Sequence, residues 1–98
     1  MQLYLVSRTR AWMSEEELAA TADCAPAVTE MLRDHVRWIR SYIVQEDDGT
    51  FGGHCLYEAS SPEMLRRHAD ALMLPADSIK PVVATTIAAP DPEPAGTA

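Results

Sequence analysis

Three side chains in the middle of the chain combine donor types that bind borderline metal ions: His54, Glu58 and His68. Imidazole together with carboxylate suits nickel, zinc or copper. His54 and Glu58 are four residues apart in a predicted strand and therefore share a face, whereas Cys55 points the other way. The spacing is not diagnostic. The alternative for each is structural: His54 as a solvent-exposed histidine, Glu58 as a solvated or arginine-paired carboxylate, and His68 as a hydrogen-bonded residue on an apolar helical stripe.

No established catalytic motif accompanies these residues. The sequence has no Gly-rich phosphate loop, no Gly-x-Ser-x-Gly, no His-Glu-x-x-His and no Cys-x-x-Cys. Cys24 and Cys55 are expected to be two free thiols, as is usual in a reducing compartment.

Composition and charge exclude several classes of partner. The chain has 98 residues, enough for one domain, and a formal net charge of -7. Because that charge would repel phosphate backbones and anionic lipid, we expect no nucleic-acid or membrane partner. No segment approaches the ~20 apolar residues that span a bilayer, and the start does not look like a signal peptide, so a cytoplasmic protein is expected.

Two helices have clear start signals. Ser14 followed by Glu17 forms a capping box, and Ser61 before Pro62 is an N-cap with proline at the first helical position. The first helix should extend to about residue 34, either kinked at Pro26 or divided there into two segments. The second helix should stop before residue 75.

Four segments are rich in β-forming residues and are predicted to be strands: 2–9, 36–45, 54–59 and 79–88. Pro81 restricts the last of them to a sheet edge, because proline donates no hydrogen bond to a neighbouring strand. Residues 90–98 have the composition of a disordered C-terminal tail, which leaves 1–89 as the domain.

The resulting order predicts a ferredoxin-like β-α-β-β-α-β fold of the α+β class, with an antiparallel four-stranded sheet. Strict alternation along the second strand puts Trp38 and Tyr42 on one face. Ile39, Ile43 and Leu5 then lie on the other. Since two helices cover only one face and both faces are apolar, we expect a homodimer, in the form of a dimeric α+β barrel, or a pocket for a small-molecule ligand.

Several short blocks occur together in one order: Tyr-Leu-Val-x-Arg at 4–8, Val-x-Trp-x-x-Ser-Tyr at 36–42, Cys-x-Tyr-Glu-Ala at 55–59 and Leu-Pro-Ala-Asp at 74–77. In these blocks the chain resembles a family of short bacterial, mainly actinobacterial, ferredoxin-like proteins of unknown function, typified by a nickel-binding protein. The resemblance extends from residue 3 to about 88. It implies a ferredoxin-like dimer and nickel binding in at least one member.

Two positions depart from the family pattern. Ser7 stands where the family usually has glutamate, and Met73 stands where an Ala-Gly pair normally precedes Leu-Pro. The missing carboxylate would weaken any metal site that uses position 7.

The leading hypothesis is a small, non-catalytic, homodimeric metal-binding protein that takes nickel or a similar divalent ion through His54, Glu58 and His68. The alternative is a small dimeric α+β barrel enzyme, of the isomerase or cofactor-free oxygenase type, with an aromatic-lined pocket and His68 or His54 as general base. A purely structural interaction module is the third possibility.

Overall fold

The secondary-structure elements follow the predicted order. The structure, a computed structural model, describes residues 1–92. Its strands and helices are β1 (Gln2–Trp12), α1 (Glu15–Met31), β2 (Val36–Gln45), β3 (Phe51–Ala59), α2 (Pro62–Leu72) and β4 (Ser78–Pro81). The strands form one antiparallel sheet in the order β2-β3-β1-β4. The predicted ferredoxin-like α+β fold is therefore confirmed.

Both helices begin at the predicted serines. The Ser14 hydroxyl accepts a hydrogen bond from the Glu17 N–H at 3.2 Å, and the Ser61 hydroxyl accepts one from the Met64 N–H at 3.3 Å. Each serine thereby satisfies an N–H group that has no partner inside the helix. α1 continues through Pro26 as one helix and ends three residues earlier than predicted.

β2 contains one extra residue relative to β3. Trp38 lies opposite Tyr57 and Arg40 lies opposite Leu56, so Ile39 has no counterpart on the neighbouring strand. Such a bulge interrupts the alternation of side chains. The residues that follow Ile39 therefore point to the opposite faces from those predicted by strict alternation.

The predicted grouping of Trp38 with Tyr42 is consequently wrong. Trp38 lies on the face covered by the helices, together with Ser41 and Ile43. Tyr42 and Ile39 lie on the other face. Trp38 Nε1 donates to Ser41 Oγ at 2.9 Å, a contact that is possible because the bulge brings both residues to one side.

The hydrophobic core lies between the two helices and one face of the sheet. Seven buried residues form it: Tyr4, Val6, Val36, Cys55, Tyr57, Ala59 and Leu65. Arg8 is buried beside them and is satisfied by the Pro75 carbonyl at 2.6 Å and the Tyr57 hydroxyl at 3.4 Å. The guanidinium therefore links β1 to β3 and to the segment after α2.

We call the other side of the sheet the open face. Strand register and alternation assign to it Leu3, Leu5, Ser7, Arg37, Arg40, Tyr42, Val44, His54, Leu56 and Glu58. Residues 85–91 border part of this face, where Asp91 accepts hydrogen bonds from the Tyr42 hydroxyl at 2.7 Å and from Arg40 at 3.2 Å. Of the predicted tail, residues 93–98 lie outside the described residues.

β4 is the shortest strand and lies at an edge, as Pro81 predicts. It ends at Pro81, well before the predicted residue 88, although the Val82 N–H still donates to the Leu3 carbonyl at 2.9 Å. Cys24 is exposed and Cys55 is buried, and both are free thiols as predicted. Within the described part of the chain, neither helix has the length and apolar character needed to cross a bilayer.

Candidate functional site

The three predicted donors lie on opposite sides of the sheet. His54 and Glu58 are on β3 with their side chains on the open face, whereas His68 is on α2, which packs against the other face. His54 is exposed, and His68 is only 1% exposed. Within one chain, the fold therefore brings His54 and Glu58 to one surface and keeps His68 away from it.

His54 is held by a neighbour on β1. Ser7 lies directly opposite His54 in the strand register, and its hydroxyl oxygen is 3.2 Å from His54 Nδ1. A hydrogen bond at one ring nitrogen fixes the orientation of an imidazole and leaves the second nitrogen for a metal. The exposed ring is thus positioned with Nε2 as its candidate donor atom.

A carboxylate that sequence reasoning missed lies close to the same surface. The Glu46 side chain occupies the position above Gly52 where a Cβ atom would otherwise stand. Gly52 and His54 are two residues apart on β3, so groups above them share a face of the sheet. In the sequence, Glu46 carries no sign of this role, and Gly52, two residues before His54, is the one feature which indicates that another group approaches β3 there.

Glu58 is already paired. Arg37, opposite it on β2, donates from Nε to Glu58 Oε1 at 2.8 Å and also contacts that oxygen through Nη2. A metal ion at Glu58 would compete with this guanidinium. On a strand, four residues correspond to about 13 Å, so Glu58 also stands well apart from His54.

His68 has the environment of a buried neutral histidine. Its Nε2 is 3.0 Å from the Thr29 hydroxyl, and its ring packs edge-on against Tyr57 with ring centres 5.1 Å apart. Burial, and secondarily the positive charge of Arg8, lower the pKa of His68 to about 4. The imidazole is therefore uncharged at neutral pH.

Aromatic rings also line a cavity of about 290 Å³ between the helices and the sheet, in which Trp12, Trp38, Tyr57 and His68 take part. The aromatic pocket anticipated from the sequence thus lies on the helix-covered side of the sheet rather than on the open face. Among residues 1–92, no three His, Cys, Asp or Glu side chains come close enough to form a ready-made metal site.

The comparison with protein families agrees with the motif resemblance. A family model described as "Nickel responsive protein SCO4226-like" matches residues 4–82, from the first strand to just beyond the last. No curated protein and no solved structure matches the chain. The match extends over both helices, β2, β3, β4 and nearly all of β1, and therefore over the whole ferredoxin-like unit. The chain belongs to the SCO4226-like family of nickel responsive proteins.

Proposed function

We propose that this protein is a non-catalytic, homodimeric nickel-binding protein and that His54 on the open face is its principal nickel ligand. The observation that carries the proposal is membership of a family described as nickel responsive. Direct binding of the ion is the simplest way in which a protein can take part in a nickel response. Imidazole is the donor best suited to nickel among the exposed side chains of the open face.

The environment of His54 supports its role as the ligand. Ser7 orients the ring through Nδ1, and the Glu46 carboxylate lies on the same side of β3. A carboxylate near a ligating imidazole adds negative charge that favours a bound cation. Water or a second copy of the chain would supply the remaining ligands, so we expect micromolar or weaker affinity.

Glu58 is the next candidate. It shares the open face with His54, and release from Arg37 would free the Oε1 atom that the guanidinium now contacts. His68 is not included in the proposed site, because it is buried on the opposite side of the sheet and shares its Nε2 with Thr29.

A group of apolar residues on the open face supports the proposed homodimer. Leu3, Leu5 and Leu56 lie side by side on β1 and β3, while Tyr42 and Val44 on β2 are 43% and 37% exposed. A solvated face of an antiparallel sheet is normally polar. Packing two open faces together would bury these residues in a dimer interface. The resulting dimer would contain the His54 side chains of both chains.

The proposed location is the cytoplasm, because free thiols such as Cys24 and Cys55 suit a reducing compartment.

Calorimetric titration tests the metal-binding part of the proposal. Untagged protein at pH 7.5 should bind nickel with micromolar or weaker affinity, and light scattering on the same sample should give twice the mass of the chain. Absence of heat with nickel would overturn the proposed function, whatever the oligomeric state.

A further inference from the structure

Small side chains on α1 leave space between this helix and the sheet. Thr21, Ala22, Ala25 and Thr29 occur at helical spacing and line the cavity, and Ala25 is the only buried residue of α1. Short side chains cannot reach the sheet across the usual helix-to-sheet distance. The cavity of about 290 Å³ is therefore a consequence of the α1 sequence.

Aromatic rings form a large part of the cavity wall. The two indole N–H groups and the Tyr57 hydroxyl are already paired, whereas the buried Nδ1 of His68 has no hydrogen-bond partner among the described residues. Trp12 Nε1 donates to Thr21 Oγ1 at 2.9 Å, and Trp38 Nε1 donates to Ser41 Oγ at 2.9 Å. Because these bonds engage the indole N–H groups, a bound molecule would contact the apolar surfaces of the two rings. An occupant would be recognised by its apolar surface and shape.

The cavity wall is also uncharged. Its described lining residues include no Asp, Glu, Lys or Arg, and the only titratable nitrogen base among them is His68. Burial keeps the pKa of His68 at about 4, so it too is neutral at pH 7. An ionic ligand would lose its hydration there without gaining a partner of opposite charge.

The size of the cavity limits the class of ligand. An apolar cavity of roughly 150 Å³ holds one benzene ring. The cavity under α1 has about twice that volume. We propose that it is a binding site for an uncharged apolar molecule of about two fused rings, a property separate from nickel binding and located on the other side of the sheet from His54.

Titration with 2-naphthol, which is uncharged at pH 7, tests the inference, with 2-naphthoate as the charged control of the same ring system. We expect 2-naphthol to bind and to raise Tm, and 2-naphthoate to bind at least tenfold more weakly. Ala25→Leu, which fills the cavity, should weaken 2-naphthol binding at least tenfold. Ala20→Leu, an exposed position of the same helix, is the matched control and should bind as the wild type does.

A second readout does not depend on the stability of the Ala25 variant. Trp12 and Trp38 are the only tryptophans of the chain, and both line the cavity. In the wild type, 2-naphthol should therefore shift both indole N–H resonances in a heteronuclear NMR spectrum. Unchanged indole resonances, or equal affinity for 2-naphthol and 2-naphthoate, would overturn the inference and leave the nickel proposal untouched.

Discussion

The hydroxyl oxygen of Ser7 lies 3.2 Å from Nδ1 of His54, across the β1–β3 ladder. Position 7 is also one of the two positions at which the motif resemblance leads us to expect a different residue, here a glutamate. The fold thus puts the departing residue in contact with the proposed nickel ligand. If His54 binds nickel as proposed, the side chain at position 7 should affect the nickel affinity.

Restoring the carboxylate should strengthen nickel binding. In Ser7→Glu, an additional oxygen donor and negative charge would stand beside His54, and we expect nickel affinity to rise about tenfold, equivalent to ~1.4 kcal/mol. Calorimetric titration at pH 7.5 measures the change. Ser7→Gln is the matched control, since it has the same size without the charge. Equal affinities of the Glu and Gln variants would show that position 7 does not contribute to the site.

Disruption of the open face should produce monomers. Leu5 lies on this face, and an aspartate there would place an unpaired charge in the proposed interface. We expect Leu5→Asp to halve the mass measured by light scattering at micromolar concentration. Met31→Asp, at a position 83% exposed on α1, should keep the wild-type mass. A wild-type protein that is already monomeric would contradict the proposed dimer.

The second departure from the family pattern has a local conformational consequence. Met73 caps α2 in the left-handed region, with φ 59° and ψ 38°, and its side chain is 91% exposed. The conformation favours glycine, which the motif resemblance also leads us to expect there, and the exposed side chain contributes little packing. Met73→Gly should raise the free energy of unfolding by roughly 0.5–1 kcal/mol, measured with urea.

The matched control is Ala71→Gly, inside α2 and also exposed, which should lower the free energy of unfolding by a similar amount. Two variants that both destabilise the protein would show that Met73 makes contacts which outweigh its conformational cost.

Burial of His68 should make stability depend on pH. The folded-state pKa of about 4 lies below the usual unfolded value of about 6.5, so the unfolded chain binds the extra proton first. Above pH 6.5 His68 is neutral in both the folded and the unfolded protein, so its contribution to the free energy of unfolding is complete. This contribution is lost as the pH falls toward 4. The loss should amount to about 3 kcal/mol in the free energy of unfolding.

Urea unfolding of wild type and His68→Gln between pH 7 and pH 4 isolates this effect, because the carboxylates titrate in both proteins. The stability of the wild type should fall more steeply. Parallel pH profiles for the two proteins would show that His68 does not titrate differently in the folded and unfolded states.

The element order could be predicted from the sequence because its determinants are local. Ser14 and Ser61 mark the helix starts by their own hydroxyl groups, and the bounds of β2 agree with the prediction. The bulge at Ile39 could not be predicted in this way. It depends on how β2 pairs with β3, and an alternating apolar sequence is equally compatible with a regular strand.

The candidate site shows the same limit. That His54 and Glu58 share a face follows from the two-residue period of a strand, and the structure agrees. His68 lies on the other face because of the way in which α2 packs against the sheet. The approach of Glu46 to Gly52 depends on the conformation of the β2–β3 turn. Both are tertiary relationships. The glycine at position 52 is a local sign that some group approaches β3, but it does not identify that group as Glu46.

Nickel titration of wild type, His54→Gln and His35→Gln is the most direct test of His54 as the nickel ligand. His35 is the matched control: it is exposed, and its Nδ1 lies 3.1 Å from the Ser60 hydroxyl, much as His54 pairs with Ser7. We expect nickel to bind to the wild type and to His35→Gln with similar affinity, and to His54→Gln at least tenfold more weakly. Undiminished nickel binding by His54→Gln would contradict this role of His54.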